Sequence, residues 1–270
     1  MFGVNEYKTC FDFNNLLYMN VYNKLLVSVS LFVVCASIMT IFGDALAWFR
    51  MPKYETIEDS KSHILNDVGF DLIVYSCPKS IFGNVQTTII ILSLVLYFVR
   101  SMFMMNGLVY MQQFIHMSCI MMLLRTTTLS LTSMPSPNPK CFNESVAPIE
   151  YTGYDGSAFK TIHSGATKSC GNLMFSGHTM FLTMIYLFEN KHNIVPRKLA
   201  LLSLVKTATG YYYIIACRSH YTIDVWISCL ITSMTFQLYN TYDKSFFATI
   251  LIECDEQSIQ MIDIETIHMA

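Results

Sequence analysis

Long apolar runs alternate with polar stretches along the chain, and this pattern sets the predicted architecture. A helix needs about 20 apolar residues to cross a bilayer, with a lower limit near 17. The apolar runs cover Leu25–Trp48, Val85–Val99, Leu108–Leu124, Ser176–Phe188, Leu199–Cys217 and Tyr221–Tyr239. The second and third are short for a span, but each is bounded by polar residues. The pattern predicts an all-α, polytopic membrane protein with six transmembrane helices in one bundle.

The polar segments divide the chain and orient it. Residues 1–24 and 241–270 are predicted to be cytosolic tails around a six-span membrane domain, residues 25–240. The connection 189–198 carries Lys191, Arg197 and Lys198. Short basic loops stay in the cytosol. The opposite ends of the flanking runs should therefore face the lumen or the cell exterior.

Composition agrees with a membrane protein. Charged residues make up 13% of the chain, against about 25% in soluble proteins. The mean hydropathy is +0.41. A formal net charge of −2 argues against a nucleic-acid partner, which would favour a basic excess.

Two short histidine signatures stand at the start of two apolar runs. Residues 170–179 read C-G-N-L-M-F-S-G-H-T, and residues 220–225 read H-Y-T-I-D-V. Two antiparallel spans with a turn between them fit between His178 and His220. Both histidines should therefore return to the same membrane face.

These residue types suit phosphate chemistry. Ser176 and Gly177 before an apolar run predict a helix start capped by Ser176, and free N–H groups at a helix start bind phosphate. His178 would stand beside that phosphate as a proton donor or acceptor. His220 and Asp224 share a helix face, so the carboxylate could hold the imidazole while its other nitrogen attacks phosphorus.

A zinc site is the chemical alternative. His178, His220 and Asp224 offer three nitrogen and oxygen ligands, enough to hold zinc with one open position. The Ser-Gly pair before His178 suits a phosphate better than a metal.

The signatures resemble those of the sphingomyelin synthase family, a branch of the lipid phosphate phosphatase superfamily. That family carries C-G-D-x-x-x-S-G-H-T and H-Y-[S/T]-x-D-V, so Asn172 stands where the family has Asp. Leu65–Asp71 is similar to the family's L-P-D-x-x-x-D block, with Asn66 in place of Pro. Arg125 through residues 132–137 (T-S-M-P-S-P) is similar to its Arg-to-T-x-L-P-x-P block.

The resemblance covers about residues 20–240 and implies a reaction. A phospho-headgroup, phosphocholine by preference over phosphoethanolamine or phosphoinositol, would pass from a glycerophospholipid to ceramide and release diacylglycerol. His220, supported by Asp224, would form a phosphohistidine. His178 would protonate the leaving diacylglycerol oxygen and then deprotonate the ceramide hydroxyl. This scheme requires no metal or organic cofactor.

Substrate binding is predicted for residues that lie in these blocks or beside the histidines: Arg125, Ser176, Gly177, Arg218 and Asp67. The arginines would contact phosphate oxygens. The active site would face the lumen or exterior of the Golgi, the endoplasmic reticulum or the plasma membrane. In that setting Cys141 and Cys170 could pair, and Asn143 is a candidate glycosylation site.

Two other functions stay open at this point. A lipid phosphate phosphatase would use the same three residues with water as the acceptor. Against it, that branch's K-x(6)-R-P signature is not found in the chain, and Phe175 replaces its usual Pro before Ser-Gly-His. A non-catalytic transporter or a degenerate family member is the other alternative. A transporter would be expected to bury more charge and to show two similar halves.

Overall fold

The fold is known from a computed structural model, which describes residues 25–44, 54–142, 173–196 and 200–241, together with five single residues: Asn23, Ala47, Pro52, Cys170 and Lys198. The candidate glycosylation site Asn143, Asn172 and nearly all of the two predicted tails lie outside the described residues.

The described part of the chain is mostly helical. Its helices are α1 (Leu25–Asp44), α2 (Ile57–Ser62), α3 (Val68–Leu72), α4 (Val85–Met102), α5 (Gly107–Leu131), α6 (Gly177–Lys191), α7 (Ala200–Ala216) and α8 (222–241). The last turn of α1, Met39–Asp44, is a π-helix, and Pro139–Cys141 form a 3₁₀ turn. Two short antiparallel strands, β1 (Lys79–Ser80) and β2 (Gly83–Asn84), precede α4.

Each of the six predicted apolar runs is helical over most of its described residues. By length and apolar composition, three of the described helices could cross a membrane: α1, α4 and α5. This supports a membrane protein, and the six-span bundle stays a prediction. Many large apolar side chains on these helices point outward, among them Leu26, Val27 and Leu96, as expected where lipid replaces water.

Helix α5 runs seven residues beyond the predicted end at Leu124, to Leu131. The added segment is rich in threonine and serine. Thr126 donates to Met122 O (2.9 Å) and Ser130 donates to Thr126 O (2.8 Å). Hydroxyl groups satisfied within their own helix let a polar segment continue the span. Arg125 therefore lies inside α5 rather than at its end.

Helix α6 lies at the centre of the bundle. Its residues Met180, Met184, Ile185 and Phe188 are fully buried and pack against side chains of α4 and α5. At the far end of α6, buried Glu189 pairs with Lys206 of α7 (3.0 Å). These contacts fix the direction of α6 and hence the position of its first turn.

Two disulfide bonds lie at the end of the bundle where α6 and α8 begin. Cys141 pairs with Cys170, as the sequence allowed, and Cys77 pairs with Cys217, a bond that was not predicted. Cys77 and Cys217 are 140 residues apart. Such spacing gives no sequence signal.

Candidate active site

The first turn of α6 begins at a capped and conformationally unusual corner. Ser176 is fully buried, and its hydroxyl accepts a hydrogen bond from Thr179 N (3.3 Å), which confirms the predicted cap. The preceding Phe175 has φ 54°, a left-handed conformation that is rare for residues other than glycine. Such backbone strain clusters at functional sites.

Arg125 of α5 reaches the same corner. Its guanidinium donates to the Phe175 carbonyl and packs against Gly177, where an added Cβ would lie 3.3 Å from Arg125 Nε. Arg125 is buried at 4% exposure. A buried guanidinium beside a helix N-terminus is suited to hold an anion such as a phosphate group.

His220 lies in the loop before α8 and is buried. Its Nδ1 is 3.0 Å from the Leu173 carbonyl oxygen. Because a carbonyl can only accept, Nδ1 carries the proton and Nε2 of the neutral ring keeps its lone pair. Burial, then the neighbouring His178 and Arg125, hold the pKa of His220 well below its ordinary value. The imidazole is therefore uncharged at neutral pH, and its Nε2 can act as a base or a nucleophile.

His178, in the first turn of α6, faces His220. The two ring centroids are 5.9 Å apart and the ring planes meet at 63°. The structure thus confirms that the two signatures, 42 residues apart in the chain, meet at one end of the bundle. Two imidazoles at this distance can act on one phosphorus, one as nucleophile and the other as proton carrier.

Asp224 is fully buried, but its geometry differs from the predicted one. Its Oδ2 is 3.9 Å from His220 Nδ1, beyond hydrogen-bond distance, and accepts instead from Tyr221 N at 3.1 Å. Its Oδ1 has no hydrogen-bond partner within the described part of the chain. The Leu173 carbonyl thus takes the place that was predicted for the carboxylate.

Asp67 lies on the segment that follows α2, and Arg218, between α7 and α8, contacts that segment. Asp67 accepts hydrogen bonds from Gly69 N, Phe70 N and the two donors of Thr222. Arg218 donates to Phe70 O (2.9 Å) and to Ile73 O (3.1 Å). Both groups therefore bind the protein itself. Their predicted role in substrate binding stays a prediction, as do those of Arg125, Ser176 and Gly177.

Three groups of the site were missed by sequence reasoning. The role of the Leu173 carbonyl has no sequence signal, because every residue has a carbonyl group. Tyr221 lies in the second signature, and its hydroxyl donates to Pro135 O (2.9 Å) and accepts from Leu65 N (3.3 Å). It thereby joins both upstream blocks to the second signature. Thr222, its neighbour in the same signature, binds Asp67.

No group of three or more histidine, cysteine, aspartate or glutamate side chains in the described part of the chain is arranged to hold a metal ion. The zinc alternative requires His178, His220 and Asp224 to converge on one ion. In the described part of the chain these three side chains do not form such a group.

Comparison with known proteins finds relatives of the segment that holds this site. Residues 169–241, which hold both histidine signatures, match the family described as PAP2 superfamily C-terminal. The chain is 34% identical over 135 residues to human sphingomyelin synthase-related protein 1, an alignment covering 44% of this chain and 30% of that protein.

Two further relatives carry names of ceramide phosphotransferases. Phosphatidylcholine:ceramide cholinephosphotransferase 1 of Gallus gallus is 28% identical over 139 residues, 48% of this chain and 33% of that protein. Phosphatidylethanolamine:ceramide ethanolaminephosphotransferase of Trypanosoma brucei brucei is 32% identical over 127 residues, 46% and 38% respectively. The chain thus matches only about a third of each relative's length. The resemblance to the sphingomyelin synthase family is confirmed.

Proposed function

We propose that this protein transfers a phospho-headgroup from a glycerophospholipid to ceramide and releases diacylglycerol, with phosphocholine as the favoured headgroup. The observation that carries the proposal is that His220 and His178 face each other beside Arg125, with ring centroids 5.9 Å apart. The Nδ1 of His220 donates its proton to Leu173 O (3.0 Å), which leaves Nε2 for the reaction. The names of the relatives support ceramide as the acceptor.

The first half-reaction forms a phosphohistidine. Arg125 and the free N–H groups of the first turn of α6 hold the donor phosphate. The lone pair on His220 Nε2 attacks phosphorus, and the bond from phosphorus to the diacylglycerol oxygen breaks. His178, protonated in the complex because the anionic donor phosphate favours its charged form, gives its proton to that oxygen, and diacylglycerol leaves.

The second half-reaction reverses these roles. Neutral His178 takes the proton from the ceramide hydroxyl, and the hydroxyl oxygen attacks phosphorus. The N–P bond breaks, and its electron pair returns to His220 Nε2. A phosphosphingolipid leaves and His178 is again protonated, so protons and bonds balance over the cycle.

Asp224 stabilises the intermediate. Phosphorylation at Nε2 makes the His220 ring positive, and the buried carboxylate 3.9 Å from Nδ1 offsets that charge. Its unbonded Oδ1 leaves one oxygen available to move toward the ring. Hydrogen bonds that are long in the free enzyme often tighten as the reaction proceeds.

The transfer is tested with the full chain reconstituted in lipid vesicles. Headgroup-labelled phosphatidylcholine, phosphatidylethanolamine and phosphatidylinositol are each supplied with and without ceramide. We expect ceramide-dependent release of diacylglycerol and an equal amount of labelled phosphosphingolipid. His220→Ala should abolish both, while replacing the exposed His63 by alanine should not. Equal diacylglycerol release without ceramide, with free phospho-headgroup, would show a hydrolase instead.

We also propose that the catalytic end faces the lumen or the exterior. The disulfides Cys77–Cys217 and Cys141–Cys170 lie at this end, and disulfides persist in oxidising compartments. In sealed microsomes, these four cysteines should resist a membrane-impermeant reductant and thiol reagent until the membrane is permeabilised. Reaction of these cysteines in intact vesicles whose cytosolic face is outside would reverse the proposed orientation.

A further inference from the structure

Asp67 joins the starts of two helices. Its Oδ1 accepts from Gly69 N (2.9 Å) and Phe70 N (3.2 Å), which caps α3. The same carboxylate accepts from Thr222 Oγ1 (2.5 Å) and Thr222 N (2.7 Å), at the start of α8. Four donors on one buried carboxylate bind it firmly to protein groups.

The two helix starts approach so closely that Gly69 is required. A Cβ at this position would clash with Thr222 Oγ1, and it would also come within 3.1 Å of Asp67 Oδ1. The Asp67–Thr222 contact therefore depends on a glycine two residues after the aspartate. We call this contact, with Gly69, the Asp67 clasp.

The same segment is tied to the chain on the other side of His220. Arg218 donates to Phe70 O and Ile73 O, and its guanidinium lies 4.0 Å from the centre of the Phe70 ring. Just beyond, Ser76 N donates to Ala216 O (3.0 Å) and Cys77 is bonded to Cys217.

His220 therefore lies between two anchored positions, Arg218 and Thr222. The same Thr222 is two residues before Asp224. A shift of Thr222 would move the imidazole and the carboxylate together. Sub-ångström placement of a nucleophile matters, since a misplacement of about 1 Å can cost roughly 10²-fold in rate.

We infer that Asp67 is a positioning residue, which acts through Thr222 to hold His220 and Asp224 in the geometry for attack on phosphorus, and does not itself contact substrate. This inference rests on the proposed transferase function. It replaces the predicted substrate contact of Asp67 with an indirect role. The two roles differ in what they change: a substrate contact sets KM, whereas a positioning role sets kcat.

Matched substitutions separate the two roles. Thr222→Val removes the hydroxyl donor but keeps the shape and the backbone N–H bond, and Thr222→Ser restores the donor. We expect Thr222→Val to lower kcat about tenfold with KM for the donor lipid within about twofold, and Thr222→Ser to recover most of the rate. Asp67→Asn should act like Thr222→Val, while Glu58→Gln, at an exposed position on α2, should leave kcat unchanged.

A second readout does not depend on activity. Hydrogen–deuterium exchange at the imidazole C2–H, followed by mass spectrometry across pH, reports the titration of each histidine. In Thr222→Val the dependence of the His220 exchange rate on pH should shift, while that of His63 stays the same. Thr222→Ser should restore the wild-type dependence for His220. If the wild type transfers no headgroup, the proposed function fails, and this profile still tests the clasp.

The inference is overturned if Thr222→Val leaves both kcat and the His220 profile unchanged. It is also overturned if Asp67→Asn raises KM severalfold at constant kcat, which would restore a substrate contact. Thermal unfolding of each variant is measured alongside, and equal unfolding temperatures ensure that a lower kcat does not reflect loss of folded protein.

Discussion

His220 is oriented by a main-chain oxygen. The Leu173 carbonyl fixes its Nδ1 proton, so the side chain of Asp224 is free for a different task. In the proposed mechanism that task is to offset the positive charge that develops on the imidazole. The division separates the group that sets the tautomer from the group that stabilises the intermediate.

Replacing Asp224 by asparagine tests this division. The amide oxygen can still accept from Tyr221 N, so the start of α8 should stay intact, whereas the negative charge is lost. We expect phosphohistidine formation to slow by roughly 10³-fold, less than the roughly 10⁴-fold loss in a triad whose carboxylate also sets the tautomer. Rapid-quench measurement of acid-labile label on the protein reports this step. A wild-type rate in Asp224→Asn would remove Asp224 from the mechanism.

The buried state of His220 also predicts a pH effect on stability. Its folded pKa lies well below 6.5 because of burial and the nearby His178 and Arg125. The unfolded state therefore binds an extra proton below pH 6.5, so stability is lost as the pH falls through that value. Between pH 7.5 and 5.5 this amounts to at most about 1.4 kcal/mol.

The measurement compares the wild type with His220→Gln. The variant lacks the titrating group, so its unfolding temperature should fall less between pH 7.5 and 5.5. Parallel curves for the two proteins would contradict the shifted pKa.

At the scale of the elements, the sequence was sufficient to predict most helices and the meeting of the two signatures. Apolar run length and caps are local signals, so α1, α4 and α6 to α8 lie near their predicted places. The end of α5 was predicted too early, because its threonine and serine residues look like the start of a polar loop in the sequence. Their hydroxyl groups instead bond to carbonyls of the same helix. Leu173 O and Cys217 escaped prediction because partners distant in sequence leave no local pattern.

The junction of α5 and α6 depends on the absence of a side chain at Gly177. An added Cβ would press on Arg125 Nε at 3.3 Å, tighter than most contacts in well-packed interiors. We expect Gly177→Ala to displace the guanidinium and to lower kcat/KM by roughly tenfold or more. The unfolding temperature should change little, since alanine favours the helix.

The matched control is Ala200→Gly at the first residue of α7, which changes the same methyl group outside the site. Steady-state transfer rates and thermal unfolding of both variants check the prediction. Full activity in Gly177→Ala would show that the position of Arg125 is not critical.

At the scale of the whole molecule, the central helices are short. Helix α6 has 15 residues and α7 has 17, which at 1.5 Å per residue gives about 23 and 26 Å. The hydrocarbon core of a bilayer is about 30 Å thick. As the fifth predicted span, α7 presents Leu201, Leu202 and Val205 outward and would require the lipid beside it to thin.

This mismatch predicts a preferred membrane thickness for the proposed transferase. Thinned lipid lowers the bilayer surface toward the first turn of α6, so headgroup phosphates come closer to the histidines, and the cost of thinning rises in thicker membranes. In phosphatidylglycerol vesicles of increasing acyl length, with donor and ceramide held constant, transfer should be fastest in the thinner bilayers and should decline as chains lengthen. A maximum in the thickest bilayers would contradict this. If transfer does decline with thickness, the length of its helices would favour the thinner membranes of the cell over the thicker ones.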